Sequence, residues 1–132
     1  LAVIDAPVGP PLEGTTWILD TYYDGVGAMI RPLEGESDEN TITAMFGVDG
    51  TVSGSSGCNT YAASYTVDGS SITIGQPSGT TKICQTPAGI MEQEQQYLTL
   101  LPMSNSFSLS SGFLSISDAN GRLILQYVTR ER

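Results

Sequence analysis

The run Gly50-Thr51-Val52-Ser53-Gly54-Ser55-Ser56-Gly57-Cys58-Asn59-Thr60-Tyr61 constrains this chain more than any other stretch. Two β-like runs meet there, and Gly54, Gly57 and Asn59 stand where the backbone must bend. Glycine and asparagine tolerate the φ/ψ values such a bend demands. The Asn59 side chain can also bond neighbouring backbone groups. The segment reads as a structural joint. A backbone nest for an anion is the functional alternative, but no Gly-Lys-Ser/Thr continuation of a phosphate loop follows.

The chain has 2 cysteines. Cys58 sits on the joint, and Cys84 follows two strand-like runs that a sheet can fold back toward it. A Cys58–Cys84 bond is the favoured reading, stabilising by roughly 3–4 kcal/mol on a chain-entropy account. Two buried reduced thiols packing as small hydrophobes are the alternative. A catalytic thiol ranks behind both, because the chain has no histidine to activate it. The same absence excludes a Ser-His-Asp site within these residues. Two cysteines without histidine do not make a tetrahedral zinc site, and no cofactor is expected.

Around the joint, short β-branched and aromatic runs alternate with turn residues. With 15 glycines and 7 prolines in 132 residues, this is the pattern of a turn-rich β protein. Residues 1–13 read as a linker or lead-in strand, and 14–132 as one domain. Thr15–Tyr23 reads as a first strand, with Trp17 as a core anchor. Residues 24–40 form a long acidic loop with a short strand near Ala28–Arg31. Thr41–Gly47 and Thr51–Gly54 flank an Asp49-Gly50 hairpin turn. Tyr61–Val67 and Ser71–Ile74 flank Asp68-Gly69. Gly79–Ile83 reads as another short strand. Ser106–Ser110, Phe113–Ser117 and Arg122–Val128 close the chain, the last two across an Asp118-Ala119-Asn120-Gly121 turn.

One helix is expected, over Pro87–Leu101, with Thr86 as N-cap and Pro87 as first helical residue. Ile90, Met91, Glu94, Tyr97, Leu98 and Leu101 recur at helical spacing, and Pro102 stops the run. The predicted fold is α+β, mostly β: a small antiparallel barrel-like sheet of about eight strands with one helix packed across it.

Glu94 falls on the apolar stripe of that helix. A carboxylate there needs partners or a proton. It is read as a buried anchor accepting hydrogen bonds from the Gly57–Tyr61 backbone or from Asn59; an acid of raised pKa in a pocket is the alternative. Tyr61 and Tyr65 share one strand face, which edges a core or, with Tyr97, forms a candidate binding surface. Asp49, Asp68, Asp118 and Asn120 are turn residues. Neither they nor the Asp38-Glu39-Asn40 cluster has the ligand spacing of a calcium loop.

The charge is lopsided, with 14 acids against 5 basic residues and a net of −9. Such a surface repels phosphate backbones, so nucleic acid is not an expected partner. It is read as a solubility device, or as a docking face for a cationic partner. No run approaches the ~18 apolar residues of a membrane span.

The Trp17 strand, Gly54-x-x-Gly57-Cys58-Asn59-x-Tyr61, Thr80 and Thr81 with Cys84, Met91-Glu92-Gln93-Glu94 and the terminal Leu114–Tyr127 stretch together resemble the META domain, the HslJ-like family of bacterial stress and envelope proteins. The resemblance covers about residues 14–128. It implies a small β-barrel-like fold with one helix, envelope or secreted placement in an oxidising compartment, frequent lipid anchoring upstream, and links to heat shock and novobiocin resistance. It carries no catalytic residues. Gly57, Cys58, Asn59, Cys84 and Glu94 match as signature residues, and the 24–40 loop departs from the shortest members. The expected function is a non-enzymatic binding or structural module, its partner a protein or a small hydrophobic ligand held between the helix and the 61–74 hairpin. The alternative is an inhibitor of a secreted hydrolase, acting through loop 24–40.

Overall fold

The structure is a computed structural model that describes residues 12–33, 41–85 and 87–129. Its strands are β1 (Thr16–Tyr23), β2 (Met29–Ile30), β3 (Thr43–Phe46), β4 (Thr51–Ser55), β5 (Thr60–Asp68), β6 (Ser71–Ile74), β7 (Ser78–Gly79), β8 (Ser106–Ser110), β9 (Phe113–Ser117) and β10 (Leu123–Thr129). Helix α1 spans Ile90–Leu100 and tightens into a 3-10 turn at Leu101–Met103. All strand pairings are antiparallel, and the path β10-β9-β8-β6-β5-β4-β3-β1 closes through β1–β10 into an eight-stranded barrel. β2 hangs on β1 and β7 on β5, both outside the ring.

Hairpin chemistry sets most of the order. Gly50 (φ 88°), Gly69 (φ 65°) and Gly121 (φ 83°) supply the positive φ of three turns. The Asp49 and Asp118 carboxylates accept from backbone N–H groups across their turns. Two of the pairings that no hairpin makes differ in width. β6 meets β8 only at Ser71 and Ser106, helped by Ile72 N–H to Asn105 O and Phe107 N–H to Ser70 O. β1 and β10 pair from Trp17–Thr129 to Tyr22–Leu125, with a bulge between Leu19 and Thr21. The bulge shifts the inward phase of β1, so Trp17, Leu19 and then Tyr22 are buried.

Alternate residues of most of the barrel strands fill the interior. Trp17, Phe46, Val52, Leu114, Ile116 and Tyr127 are fully buried there. An eight-stranded barrel is about wide enough for its own side chains. Trp17 is the expected anchor, its Nε1–H donating to the Leu12 carbonyl at 3.1 Å. Of the lead-in, residues 1–11 lie outside the described residues; Leu12 is buried and Glu13 bridges Phe46 in parallel.

Two element expectations need correction. The helix starts at Ile90, not at Pro87: Gly89 takes a left-handed φ of 89° at the N-cap, and the Pro87 carbonyl accepts from Ile90 N–H in a preceding turn. The expected cap Thr86 lies outside the described residues. The strand expected over Gly79–Ile83 is only Ser78–Gly79. Residues 80–85 run as irregular chain: the Thr80 hydroxyl and the Lys82 amide and carbonyl bond to the Asn59 side chain, and only Thr80 N–H still reaches the Thr60 carbonyl of β5.

Candidate functional site

Side-chain hydrogen bonds gather at the joint among the described residues. β4 ends at Ser55 and β5 begins at Thr60, so residues 56–59 must reverse the chain. Gly54 is required by contact, since a Cβ there would run into the Thr43 carbonyl. Gly57 is required by conformation, with φ at 117°. The reversal points two backbone N–H groups at one spot, where α1 delivers Glu94.

Glu94 Oε1 accepts from Ser56 Oγ at 2.9 Å, Cys58 N–H at 2.9 Å and Asn59 N–H at 2.8 Å. Its Oε2 accepts from Asn59 Nδ2 at 2.8 Å. The residue is 5% exposed, so the carboxylate bonds to its own chain rather than to water. Burial pushes the carboxyl pKa up, but the bonds from the Asn59 side chain, the Asn59 and Cys58 amides and Ser56 outweigh it, leaving a value below the ordinary one. Glu94 is thus the ionised anchor of the corner, and not an acid of raised pKa.

Asn59 is equally committed. Its Nδ2 also donates to the Lys82 carbonyl at 3.0 Å, and its Oδ1 accepts from Lys82 N–H at 2.6 Å and Thr80 Oγ1 at 2.7 Å. Two donor hydrogens and two lone pairs are all that an amide offers. Cys58 and Cys84 form a disulfide with a Cα separation of 5.9 Å, fastening the far end of the same segment. Sequence spacing placed Cys58, Asn59 and Glu94 together; it missed Ser56, Thr80 and the Lys82 backbone, whose roles depend on the path of an irregular segment.

The tyrosines correct an expectation. Tyr61, Tyr65 and Tyr97 are 3%, 6% and 0% exposed, so they form no binding surface. The shared face of β5 points into the barrel. Tyr61 donates to the Thr43 carbonyl at 2.9 Å, and its hydroxyl lies 2.8 Å from that of Tyr97, which lies 2.8 Å from that of Tyr127. Each phenol has one proton. With that of Tyr61 committed to Thr43, Tyr97 must donate to Tyr61 and Tyr127 to Tyr97. Burial raises all three pKa values. The Tyr65 hydroxyl is 2.6 Å from the Gly47 carbonyl and 2.9 Å from Glu13 Oε2; burial and the Glu13 carboxylate push its pKa up to about 12.

Between α1 and the Tyr61 end of the 61–74 hairpin the described residues leave little space. A cavity of about 50 Å³ lies there, against Leu98, Tyr61 and Thr80, room for little more than water. A larger groove, about 330 Å³, lies on the other flank of α1, between its first half and the arm formed by β1, β2 and the chain up to Leu33. Tyr22, Ile30, Leu33 and Ala88 give it apolar walls, with Asp24 and Glu92 at its sides. Bonds from the Val26 and Ala28 amides hold the Asp24 carboxyl below its ordinary pKa. Gln93, which also lines the groove, is 4% exposed. Its Oε1 accepts from Leu33 N–H at 2.6 Å, while its Nε2 is the buried side-chain polar atom without a partner among the described residues. Such an orphan costs about 1–3 kcal/mol. Gln93 stands three residues after Ile90 and four before Tyr97, on the buried face of α1. Residues 34–40 of the acidic loop, with Asp38, Glu39 and Asn40, lie outside the described residues. Among the described residues, no group of three or more acids or cysteines is placed to hold a metal ion, and no helix is long and apolar enough to cross a membrane.

A family model for the META domain matches residues 10–131. No curated protein sequence matches the chain. Among solved structures, the fold is similar to an NMR structure of a protein from Burkholderia xenovorans, with a TM-score of 0.69 and 26% identity over 100% of this chain and 95% of that one. A second NMR structure gives a TM-score of 0.64 at 19% identity, over 89% and 91% of the two chains. A DUF4847 family protein from Bacteroides vulgatus gives 0.60 at 15% identity, over 92% and 96%.

Proposed function

The chain belongs to the META domain family, and from that premise we propose that it is a non-catalytic binding module of the bacterial cell envelope or secreted space, serving a stress response. The observation that carries this reading is the joint itself. A buried carboxylate that elsewhere could serve as an acid or base has its oxygens bonded to Ser56, Cys58 and Asn59 of its own chain. The disulfide beside it suits an oxidising compartment. The interior is filled by Trp17, Phe46, Tyr97 and Tyr127, which leaves the outer surface to meet a partner.

Two measurements test the reading. Alkylation trapping in fractionated source cells should recover the protein outside the cytosol with both thiols oxidised; a cytosolic protein with two alkylatable thiols overturns the placement. In a deletion strain sensitised to heat or novobiocin, Glu94→Gln should complement at temperatures where the variant is folded. A folded variant that fails to complement would make Glu94 a working group and the non-catalytic reading wrong.

A further inference from the structure

We propose that the groove between the first half of α1 and the β1–β2 arm binds a short, extended, basic segment of a partner protein. This rests on the binding-module reading above and names the partner's chemistry. At about 330 Å³ the groove lies at the small end of the ~300–1,000 Å³ typical of ligand clefts, enough for a few residues of chain.

Gln93 states what the occupant must offer. Its Oε1 is engaged by the Leu33 amide, which fixes the orientation of the group and leaves Nε2 as a buried donor without a partner among the described residues. Buried amide donors nearly always find one. A peptide carbonyl is the neutral acceptor that suits. A carboxylate would face Asp24 and Glu92, with no lysine or arginine in the lining to offset them, on a chain of net charge −9. The same two acids favour a lysine or arginine beside that carbonyl.

The edge of the sheet states the occupant's conformation. β2 ends the strand path, pairing β1 on one side with no strand beyond it among the described residues. An extended segment can lie along such an edge. Ile30 and Leu33, each 39% exposed, give its alternate side chains apolar contact.

The test is a titration of the full ¹⁵N-labelled chain with two blocked tripeptides, acetyl-Leu-Lys-Leu-amide and acetyl-Leu-Glu-Leu-amide. The lysyl peptide should move the Gln93 side-chain amide pair and the Leu33 backbone amide at millimolar concentration, and the glutamyl peptide should leave both in place. Glu92→Gln, which removes an exposed carboxylate, should weaken lysyl-peptide binding about threefold, and added salt should weaken it too. Equal response to both peptides, no effect of Glu92→Gln, or a spectrum that neither peptide perturbs overturns the proposal. Shifts confined to another face would remove the groove while leaving the binding-module reading intact, and the trapping and complementation results are independent of this outcome.

Discussion

Glu94 reaches the joint as an anion, and that fixes the sign of its contribution. Its folded pKa is lowered from the ordinary 4.5, so between the two values the unfolded chain holds more protons. Stability therefore rises with pH across that window and is complete above about 4.5. As pH falls through the folded value, Glu94's share is lost. Glu94→Gln should cost roughly 2–3 kcal/mol at neutral pH, since one amide cannot accept all four bonds and turns a donor toward the Asn59 amide or the joint. Urea unfolding across pH 3 to 7 should show this loss and a flatter acid limb than in the parent; an unchanged midpoint would mean the carboxylate holds nothing. Asn59→Asp should reverse the sign. It sets a second carboxylate where Nδ2 now lies, 2.8 Å from Glu94 Oε2, and the pair then favours holding a proton. That variant should gain stability relative to the parent on acidification from pH 7 to 5, where the parent is flat. At this scale the sequence was legible where a residue broke its local pattern. A charge on an apolar stripe announced Glu94; Gln93 shares that face, three residues after Ile90 and four before Tyr97, but a neutral amide stands out less than a charge.

Elements fail to be legible where side chains replace a ladder. Gly79–Ile83 looks like a strand, but Asn59 takes the Lys82 amide and carbonyl on one side chain, so the segment follows Asn59 and stops pairing after Gly79. Likewise Pro87 fits a first helical turn by composition, yet the left-handed Gly89 delays the helix to Ile90. The disulfide then does for residues 80–85 what a strand neighbour would have done. Opening it frees a loop of 26 residues in the unfolded chain, and Cys58→Ser with Cys84→Ser should lose roughly 3–4 kcal/mol on the chain-entropy account. The loss should be uneven. Hydrogen exchange at Lys82 N–H should accelerate far more than at β1 or β10 amides, because those strands pair independently of the bond. Uniform acceleration would show that the bond holds the barrel as a whole.

For the whole molecule, the sequence supplied the strand count and the lone helix, because turn glycines and apolar periods are local signals. It could not supply the ring. The β1–β10 seam joins the first strand to the last, and its bulge is invisible in the order of residues. The same non-local arrangement creates the phenol chain. β5 and β10 stand opposite each other in the eight-membered strand order, and Tyr97 of α1 joins Tyr61 on one wall to Tyr127 on the other. Since the protons run from Tyr127 through Tyr97 and Tyr61 to Thr43, deletions along the chain are not equivalent. Tyr127→Phe removes the terminal donor and leaves every other proton with an acceptor, which should cost about 0.5–1.5 kcal/mol. Tyr97→Phe strands the buried Tyr127 hydroxyl and should cost about 1–3 kcal/mol. Adding Tyr127→Phe to Tyr97→Phe should then recover part of that loss, because both partners are gone. Denaturant midpoints of the three variants at constant m-value measure it. A double variant as unstable as the sum of the singles would mean that the hydroxyls act independently, and that the helix grips the two walls by packing alone.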